Sequence, residues 1–293
     1  MPKLAGPVLI TGCSSGIGRA VARHLLRQGH HVYASARRPD AVADLATAGA
    51  SVVSIDVTDD ESMAKAVAEI EAEHGQVGAL VNNAGFAEYG PVETVPIQRA
   101  REQFETNFFG LTRMCQLVLP GMRRGSSGHI INISSVGGRM GFPGGGVYNA
   151  SKFAVEGLSD ALRFEAAPFG VFVTVVEPNL IRDTNFDEHV GASLDRNTPE
   201  LGPYGELRKA IGDQMGRCFT SAKMSSPPSA VADTVDRALR ARKPRGHYVV
   251  SPSGRFLVNT RRIVSDRVWD DVMRRQFGLT KTGAYNGKWA ANA

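Results

Sequence analysis

Short apolar runs rich in Val and Ile alternate, over the first 180 residues, with longer segments whose apolar residues recur every three to four positions. The runs predict β-strands near residues 7–10, 31–34, 51–55, 79–81, 129–133 and 171–176. The longer segments predict helices near residues 16–28, 41–48, 59–74, 97–122 and 148–167. Continuously apolar strands separated by helices are typical of a parallel sheet covered on both faces. This order predicts a doubly wound α/β fold.

The alternation stops after Pro178. A connection of about 45 residues is far longer than the usual ~4–6, so we interpret residues 180–226 as a helical insertion that forms a substrate lid. A helix from Pro227 to Lys243, a last strand at 247–250 and a single terminal helix at 255–277 complete the pattern. No internal repeat interrupts it, and we expect one domain over residues 1–293 with a C-terminal helical extension at 252–293.

Composition and charge narrow the class of protein. A hydrophobic fraction of 42% excludes a disordered chain, and no apolar run approaches the ~18 residues of a transmembrane helix. The three cysteines form no paired or metal-spaced set, which is typical of a reducing compartment. The N-terminus is interrupted by Pro and Gly and has no signal-peptide pattern. Together these features predict a soluble, cytoplasmic protein. The net charge of +5 arises between residues 237 and 275, where 11 basic residues accompany 3 acidic ones, and it does not by itself predict nucleic-acid binding. The seven histidines lack metal-ligand spacing, so no metal is expected.

A glycine-rich turn separates the first predicted strand from the first helix, with the sequence Thr11-Gly12-Cys13-Ser14-Ser15-Gly16-Ile17-Gly18. Glycines let the backbone approach a pyrophosphate, and the N-terminus of the next helix offers free N–H groups and a positive dipole. In isolation such a turn could be purely structural. Its position between a strand and a helix predicts a dinucleotide site made by Gly12, Ser14, Ser15, Gly16, Ile17 and Gly18.

A second group of polar residues is predicted at the carboxyl ends of the strands. Tyr148 and Lys152 are one helical turn apart, so their side chains share a helix face. Ser135 follows the strand at 129–133, and Asn83-Ala84-Gly85 follow the strand at 79–81. Active sites of doubly wound sheets lie beyond the carboxyl ends of the strands. The alternative is a surface Tyr near a surface Lys, but the placement of Ser135 favours a shared site.

Taken together, these motifs resemble the short-chain dehydrogenase/reductase family. The resemblance rests on the glycine turn, Asn82-Asn83-Ala84-Gly85, and six further positions that occur in the family's order: Asp56, Asn107, Ser135 with Tyr148 and Lys152, and Pro178. It implies a Rossmann fold, a nicotinamide cofactor, hydride transfer and a homodimer or homotetramer. The loop after Asn83, together with the C-terminal extension, is similar to the branch that acts on hydroxysteroids, retinol and other lipophilic alcohols.

The family implies catalytic roles for four residues. Tyr148 would be the general acid in ketone reduction and the base in alcohol oxidation. Lys152 would lower the pKa of Tyr148 and bind the nicotinamide ribose, since a cation ~4 Å away at an effective dielectric of ~20 offers about the 4 kcal/mol that ionisation near pH 7 requires. Ser135 would bond the substrate oxygen, and Asn107 would hold a water that links Lys152 to solvent.

The end of the second strand suggests which cofactor binds. NAD-selective members of the family have an acidic residue there, whereas this chain has Ala36 followed by Arg37 and Arg38. Because an arginine suits a phosphate in both charge and geometry, we predict NADP(H) in preference to NAD(H). The alternative is two solvated arginines, and many NADP-dependent members have a basic residue where this chain has Ser15. Asp56 and Val57 are expected to contact the adenine.

The segment after the sixth strand departs from the family pattern P-G-x-V/I-x-T. Pro178 matches it, and Ile181 is expected to contact the carboxamide through its backbone. Asn179 replaces the glycine, which we interpret as a left-handed residue because Asn tolerates that conformation. Thr184 comes one residue late, so its implied contact with the pyrophosphate is left open.

The substrate is less constrained than the chemistry. Residues 180–226 and the loop 86–91, with Met140 and Phe142, could enclose an apolar pocket for a lipophilic secondary alcohol or its ketone. A reductase of carrier-bound 3-ketoacyl chains is an alternative, and a non-catalytic dinucleotide-binding regulator is another. The regulator would have no need of the acid/base pair Tyr148 and Lys152.

The predicted terminal helix is basic and amphipathic. Leu257, Val264, Val268 and Val272 follow helical spacing, and Val258, Ile263, Trp269 and Met273 widen the apolar face. So broad a face favours packing on the core. Weak contact with an anionic membrane surface is the alternative, at about 1 kcal/mol per well-placed basic residue.

Overall fold

The computed structural model describes residues 4–198 and 202–279. Its strands are β1 (Val8–Ile10), β2 (Val32–Ala36), β3 (Ser51–Ser54), β4 (Ala79–Asn82), β5 (Gly128–Ile133), β6 (Val171–Glu177), β7 (Leu180–Ile181), β8 (Ser225–Ser226) and β9 (His247–Val249). Its helices are α1 (Gly16–Arg27), α2 (Ala43–Thr47), α3 (Asp60–His74), α4 (Ile97–Phe104), α5 (Leu111–Arg124), α6 (Gly146–Ala166), α7 (Phe186–Asn197), α8 (Gly205–Thr220), α9 (Pro228–Arg240), α10 (Pro252–Ile263) and α11 (Asp266–Gln276).

Seven strands form one parallel sheet in the order β3-β2-β1-β4-β5-β6-β9, with helices on both faces. The order reverses between β1 and β4, which is the topological switch point where doubly wound sheets bind ligands. The single-domain Rossmann fold predicted from the apolar pattern is therefore confirmed. Two separate apolar clusters fill the layers between the sheet and the helices on each side.

Most predicted elements begin and end within two residues of the observed ones. Asp59 is the N-cap of α3, because its carboxylate accepts hydrogen bonds from the backbone N–H groups of Glu61 and Ser62. The helix predicted at 97–122 is not continuous, since a π-helical segment, Glu105–Gly110, separates α4 from α5. Such segments often mark functional sites.

The described residues of the segment 180–226 form a small insertion between β6 and α9. Helices α7 and α8 pack together, and β7 and β8 pair in a separate two-stranded parallel sheet through Leu180 with Ser225 and Ile181 with Ser226. The predicted helical insertion is thus present in the described part of this segment. Its role as a lid is not fixed by the architecture alone.

The prediction of one terminal helix at 255–277 is wrong. Val264 and Ser265 are extended, with ψ angles of 149° and 159°, and they end α10 and begin α11 as a new helix. Two residues of the predicted apolar face are exposed: Ile263 (83%) at the end of α10, and Val268 (48%) on α11, where the break has reset the helical phase. The remainder of the predicted extension, residues 280–293, lies outside the described residues.

A third apolar cluster joins the two C-terminal helices to the rest of the molecule. Val258 from α10 and Trp269 and Met273 from α11 are buried in it with Met140 and Tyr148. The expected packing of the extension on the core is therefore observed, although through fewer residues than predicted. Among the helices that the structure describes, none combines the length and apolar character needed to cross a membrane.

Trp269→Ala tests how much the extension contributes to stability. Trp269 is 5% exposed, and its removal should lower the free energy of unfolding by about 3–5 kcal/mol. Val268→Ala, one residue away on the exposed face, should change it by no more than about 0.5 kcal/mol. Urea unfolding of both variants measures the difference, and equal effects would show that α11 does not pack as described.

Candidate active site

A cavity of about 490 Å³ opens at the carboxyl ends of the parallel strands. It brings together residues that lie far apart in the chain and that the sequence motifs singled out. The predicted site residues along its wall are Gly12, Ser14, Ser15, Gly16, Ile17, Arg37, Asp56, Val57, Asn83, Ala84, Gly85, Ser135, Tyr148, Lys152, Pro178, Ile181 and Thr184. Gly18, Arg38 and Asn107 are not part of the wall.

The glycine turn has the geometry of a cofactor cradle. Gly12 and Gly16 have φ angles of +72° and +54°, a region that disfavours other residues. A Cβ on Gly18 would lie 2.4 Å from the Gly12 carbonyl oxygen, so only glycine lets α1 approach the turn. Ser15, the N-cap of α1, makes no side-chain capping bond, and the first turn of α1 has no acidic residue. An anionic pyrophosphate suits these N–H groups.

The residues that follow β4 are hydrogen-bonded to the glycine turn. The backbone N–H groups of Asn83 and Ala84 each donate to Thr11 Oγ1 at 3.0 Å. The Asn83 amide donates to the carbonyl oxygens of Thr11 at 2.9 Å and Gly12 at 3.0 Å. The predicted residues Asn83 and Ala84 therefore hold the cofactor turn in place as well as lining the cavity.

Tyr148 and Lys152 project from α6 toward Ser135, as the helical spacing predicts. Ser135 lies two residues after the end of β5, and its Oγ accepts a hydrogen bond from the Gly137 backbone N–H at 3.0 Å. Lys152 Nζ donates to the Ile133 carbonyl oxygen at the end of β5, at 2.9 Å, and lies 5.9 Å from the centre of the Tyr148 ring. Tyr148 and Lys152 are buried and Ser135 is half-buried, and the three side chains share one corner of the cavity.

Burial governs the ionisation of this corner. It raises the pKa of Tyr148 to about 12, and a hydrogen bond with Ser135 opposes the rise. It lowers the pKa of Lys152 to about 8, and the negative charge of Glu156 opposes the fall. At pH 7 the phenol is therefore protonated and most Lys152 is still charged. The expected lowering of the Tyr148 pKa by Lys152 is not seen, because burial dominates this pKa and only the hydrogen bond with Ser135 opposes it.

Asn107 lies beneath the site in the π-helical segment and is 1% exposed. Its Oδ1 accepts from the Phe86 backbone N–H at 3.0 Å, and its Nδ2 donates to the Phe86 carbonyl oxygen at 2.9 Å and to Ser151 Oγ at 3.1 Å. Asn107 thus anchors the start of the loop 86–91. Its predicted role in holding a water beside Lys152 stays a prediction.

The two arginines after β2 are placed differently. Both are exposed, but Arg37 lines the cavity and Arg38 does not. Ala36 is buried at the end of β2 where an acidic residue would stand in NAD-selective members. The Asp56 carboxylate accepts hydrogen bonds from the Thr58 backbone N–H at 3.0 Å and from the Thr58 hydroxyl at 2.8 Å, and both residues line the cavity. The expected contact of Asp56 with the adenine stays a prediction.

The segment after β6 differs from two expectations. Asn179 is not left-handed; its amide donates to the Met224 carbonyl oxygen and to Ser253 Oγ, both at 3.2 Å. Asp183 takes the left-handed conformation instead, with φ of 59°. This turn absorbs the extra residue, so the Thr184 methyl lies 3.5 Å from where a Gly16 Cβ would be. Thr184 therefore lies beside the glycine turn despite the one extra residue.

The outer cavity is apolar and includes residues that the motifs did not indicate. Aromatic rings of Tyr89 and Phe186 each lie 5.9 Å from the Tyr148 ring, and Phe142 completes the wall as expected. Met140 packs beneath Tyr148 but lines a different cavity. The wall also contains Met215, Cys218, Leu257 and Phe277. These residues lie in the insertion and in the C-terminal extension, where no short motif marks them.

A nucleotide cradle beside a buried Ser/Tyr/Lys corner at the switch point of a doubly wound sheet defines a nicotinamide-dependent oxidoreductase. A model of the short chain dehydrogenase family matches residues 7–195. The chain belongs to the short-chain dehydrogenase/reductase family and is an NAD(P)-dependent dehydrogenase or reductase.

Three relatives are similar over much of the chain. The uncharacterized oxidoreductase YbbO of Escherichia coli K12 is 37% identical, covering 91% of this chain and 93% of YbbO. A 3-ketodihydrosphingosine reductase of Bacteroides thetaiotaomicron is 43% identical over 68% of this chain and 70% of its own. An NADPH-dependent 3-dehydrocapnine reductase of Ornithobacterium rhinotracheale is 33% identical over 90% of this chain and 94% of its own.

Solved structures agree on the fold and differ in cofactor. A short-chain dehydrogenase/reductase from Burkholderia phymatum in complex with NAD has a TM-score of 0.75 at 25% identity, covering 89% of this chain and 95% of its own. The closed form of a serine dehydrogenase complexed with NADP⁺ has a TM-score of 0.69 at 28% identity, covering 83% and 93%. Similarity alone thus supports a nicotinamide cofactor without selecting NADP or NAD.

Gly18→Ala tests the cradle. The added Cβ would lie 2.4 Å from both the Gly12 carbonyl oxygen and Asn83 Nδ2, so α1 must move away from the turn. We expect the dissociation constants of NADPH and NADH to rise at least about tenfold, which corresponds to ~1.4 kcal/mol. Fluorescence titration measures both. Gly157→Ala, at a position of α6 with nothing within 4 Å of the added Cβ, should bind as the wild type does.

Proposed function

We propose that the protein reduces lipophilic ketones to secondary alcohols with NADPH and catalyses the reverse oxidation, with Tyr148 as the general acid/base. The observation that carries this proposal is the buried Tyr148 hydroxyl, which shares a corner with Ser135 and Lys152 and faces an apolar cavity. In the bound state the nicotinamide cofactor supplies or accepts the hydride. The protein supplies the proton, the orientation and the exclusion of water.

The residues of the corner have distinct tasks in ketone reduction. The Ser135 hydroxyl bonds the substrate oxygen and favours the charge that develops on it. Tyr148 donates its phenolic proton to that oxygen, which suits a group whose pKa of about 12 keeps it protonated at neutral pH. The Lys152 ammonium, charged at neutral pH, favours the tyrosinate that remains.

The shape of the cavity supports a lipophilic substrate. Its outer wall combines aromatic and aliphatic side chains from α7, α8 and α10, so an extended apolar chain can lose contact with water there. His189, Gln214 and Gln276 add polar groups at the same end of the cavity, which suits a substrate with a polar head. We propose that residues 180–226 act as the lid over this space.

Two relatives favour the same class of substrate, since the names 3-ketodihydrosphingosine reductase and 3-dehydrocapnine reductase both denote reduction of a 3-keto group. A carrier-bound 3-ketoacyl chain is the second candidate. A panel of free long-chain ketones, steroid ketones, retinal and a carrier-bound 3-ketoacyl chain, followed by NADPH absorbance, separates them. Turnover confined to the carrier-bound chain would replace our first candidate with the second.

We propose NADP(H) as the preferred cofactor because Arg37 lines the cavity where Ala36 leaves no carboxylate to bind a ribose hydroxyl. The guanidinium suits the 2′-phosphate in charge and in hydrogen-bonding geometry. The name of the NADPH-dependent relative from Ornithobacterium rhinotracheale agrees with this choice. A homodimer or homotetramer and a cytoplasmic location stay predictions.

Tyr148→Phe tests the proton donor. The variant keeps the ring and its contacts, so NADPH should bind nearly as in the wild type, while turnover falls at least about 10²-fold because the proton is missing. Ser135→Ala should show a similar loss. Tyr248→Phe, on β9 away from the cavity, should keep wild-type turnover. Near-normal turnover of Tyr148→Phe would exclude Tyr148 as the acid.

Single and paired changes at the end of β2 test cofactor choice. Arg37→Ser should lower kcat/KM for NADPH at least about tenfold and leave that for NADH nearly unchanged, because one charged hydrogen-bonded contact is worth ~1.5–3 kcal/mol. Arg38→Ser is the matched control and should have little effect. Adding Ala36→Asp to Arg37→Ser should make NADH the better cofactor. A wild-type enzyme that prefers NADH would contradict the proposal.

A further inference from the structure

A cluster of five charged side chains lies on the side of α6 that faces the sheet, next to the proposed active site. Glu156 and Asp160 come from α6, Glu177 from the end of β6, His247 from the start of β9, and Arg139 from the loop that follows Ser135. Glu156 is 6% exposed and Glu177 is 1% exposed. The sequence predicts only that His247 begins a strand, and the fold gives it these charged partners.

His247 is the centre of the cluster. Its Nδ1 lies 2.8 Å from Glu177 Oε1 and 3.3 Å from Glu156 Oε2, and its Nε2 lies 2.9 Å from Asp160 Oδ1. The hydrogen bonds to Glu156 and Glu177 raise the pKa of His247 to about 10, although partial burial opposes the rise. The ring is therefore an imidazolium cation at neutral pH, with both nitrogens donating.

Arg139 supplies the second cation. Its Nη1 lies 3.4 Å from Glu156 Oε2 and 3.7 Å from Glu177 Oε1. The ligand atoms of Glu156, Glu177 and His247 lie within 4.8 Å of one another, a spacing that a metal ion could also use. Because a guanidinium and a protonated ring already neutralise the two carboxylates, we interpret the cluster as an ion-pair network. The two cations thereby offset the burial of the Glu156 side chain.

Glu156 connects this network to the catalytic lysine. It follows Lys152 by one turn of α6, so the two side chains share a helix face. The Lys152 ammonium lies near the Ile133 carbonyl oxygen from β5 and the Tyr148 ring from α6. Asn107 lies on the other side of Gly85, since a Cβ on Gly85 would be 3.0 Å from Asn107 Oδ1 and 3.8 Å from Lys152 Nζ. Tyr148 is neutral at pH 7, and the charge that opposes the desolvation of the ammonium is that of Glu156.

The same carboxylate also ties the Ser135 loop to α6. A Cβ on Gly138 would lie 2.9 Å from Glu156 Cγ and 2.9 Å from the Lys152 carbonyl oxygen, so the loop packs directly on the helix at this point. The contact of Arg139 with Glu156 crosses the same junction. Ser135, on one side of the junction, and Lys152, on the other, depend on it for their relative position.

We propose that Glu156 is a positioning residue for the reaction: held by His247 and by Arg139, its carboxylate lies one helical turn from Lys152 and fixes the Ser135 loop against α6. This inference rests on the proposed function, in which Lys152 must be charged when Tyr148 gives up its proton. Since Lys152 loses its proton near pH 8 and Tyr148 only near 12, Lys152 sets the alkaline limit of ketone reduction.

Glu156→Gln tests the inference by removing the charge at nearly constant volume. Lys152 should then lose its proton at lower pH, and the alkaline limb of the kcat/KM profile should move about one pH unit toward acid. Activity would fall about tenfold at pH 8.5 and remain within about twofold of the wild type at pH 6, because one unit of pKa is a tenfold change in the charged fraction above it. Glu165→Gln, an exposed change on the same helix, should leave the profile unmoved.

A titration of ¹³Cε-lysine-labelled protein followed by NMR measures the same quantity without turnover. The Lys152 resonance, assigned with Lys152→Arg, should titrate at lower pH in Glu156→Gln than in the wild type, and Glu156→Asp should restore most of the difference. The His247 ring nitrogens should report an imidazolium at pH 8. If Glu156→Gln does not fold, Glu156→Asp should still show a smaller shift in the same direction.

An unchanged Lys152 midpoint in the folded variants, or a loss of activity that is equal at every pH, would overturn the inference and leave Glu156 a purely structural residue. That result would not affect the proposed function, which the turnover of Tyr148→Phe tests separately. Conversely, the titration midpoint of Lys152 could shift in Glu156→Gln while the wild-type protein shows no ketone reductase activity. That result would support the electrostatic effect of Glu156 on Lys152 and would reject the proposed reaction.

Discussion

The Lys152 ammonium lies buried at the carboxyl edge of the sheet, and its hydrogen bond to the Ile133 carbonyl oxygen joins α6 to the end of β5. Removing a charge from water is costly, so this position requires compensation from every side. A backbone carbonyl, a neighbouring phenol ring and the carboxylate of Glu156 provide it. In the mechanism that we propose, this ammonium is the charge that favours proton transfer from Tyr148.

The rest of the fold supplies what this buried charge needs. The seven-stranded sheet provides a rigid edge at which β1, β4, β5 and β6 all end. Helix α6, at 21 residues the longest that the structure describes, carries Tyr148 and Lys152 on the face that also bears Glu156. The insertion and the C-terminal helices then cover Tyr148 with a third apolar cluster, which accounts for the strong desolvation of the phenol and links the stability of the extension to the site.

Local departures from the family pattern are absorbed by compensating changes nearby. The extra residue after Pro178 is accommodated by left-handed backbone at Asp183, so Thr184 still reaches the glycine turn. Asn179, freed from the role of a turn residue, bonds instead to Met224 and Ser253 and so ties the insertion to the start of α10. Neither outcome follows from residue type, because each depends on where a segment distant in the chain has been placed.

The sequence by itself determined those features that arise from neighbours along the chain. These features are the strand and helix periods, the glycine turn before α1 and the one-turn spacing of Tyr148 and Lys152. They were enough to predict the fold and the inner part of the site. The tertiary structure alone decided which side chains of the predicted segments line the outer cavity and added Leu257 and Phe277 to its wall. It alone also decided the break between α10 and α11 and the network around His247, whose partner Asp160 is 87 positions away. The reason is that burial and pairing energies depend on distances in space, and residue patterns encode only distances along the chain.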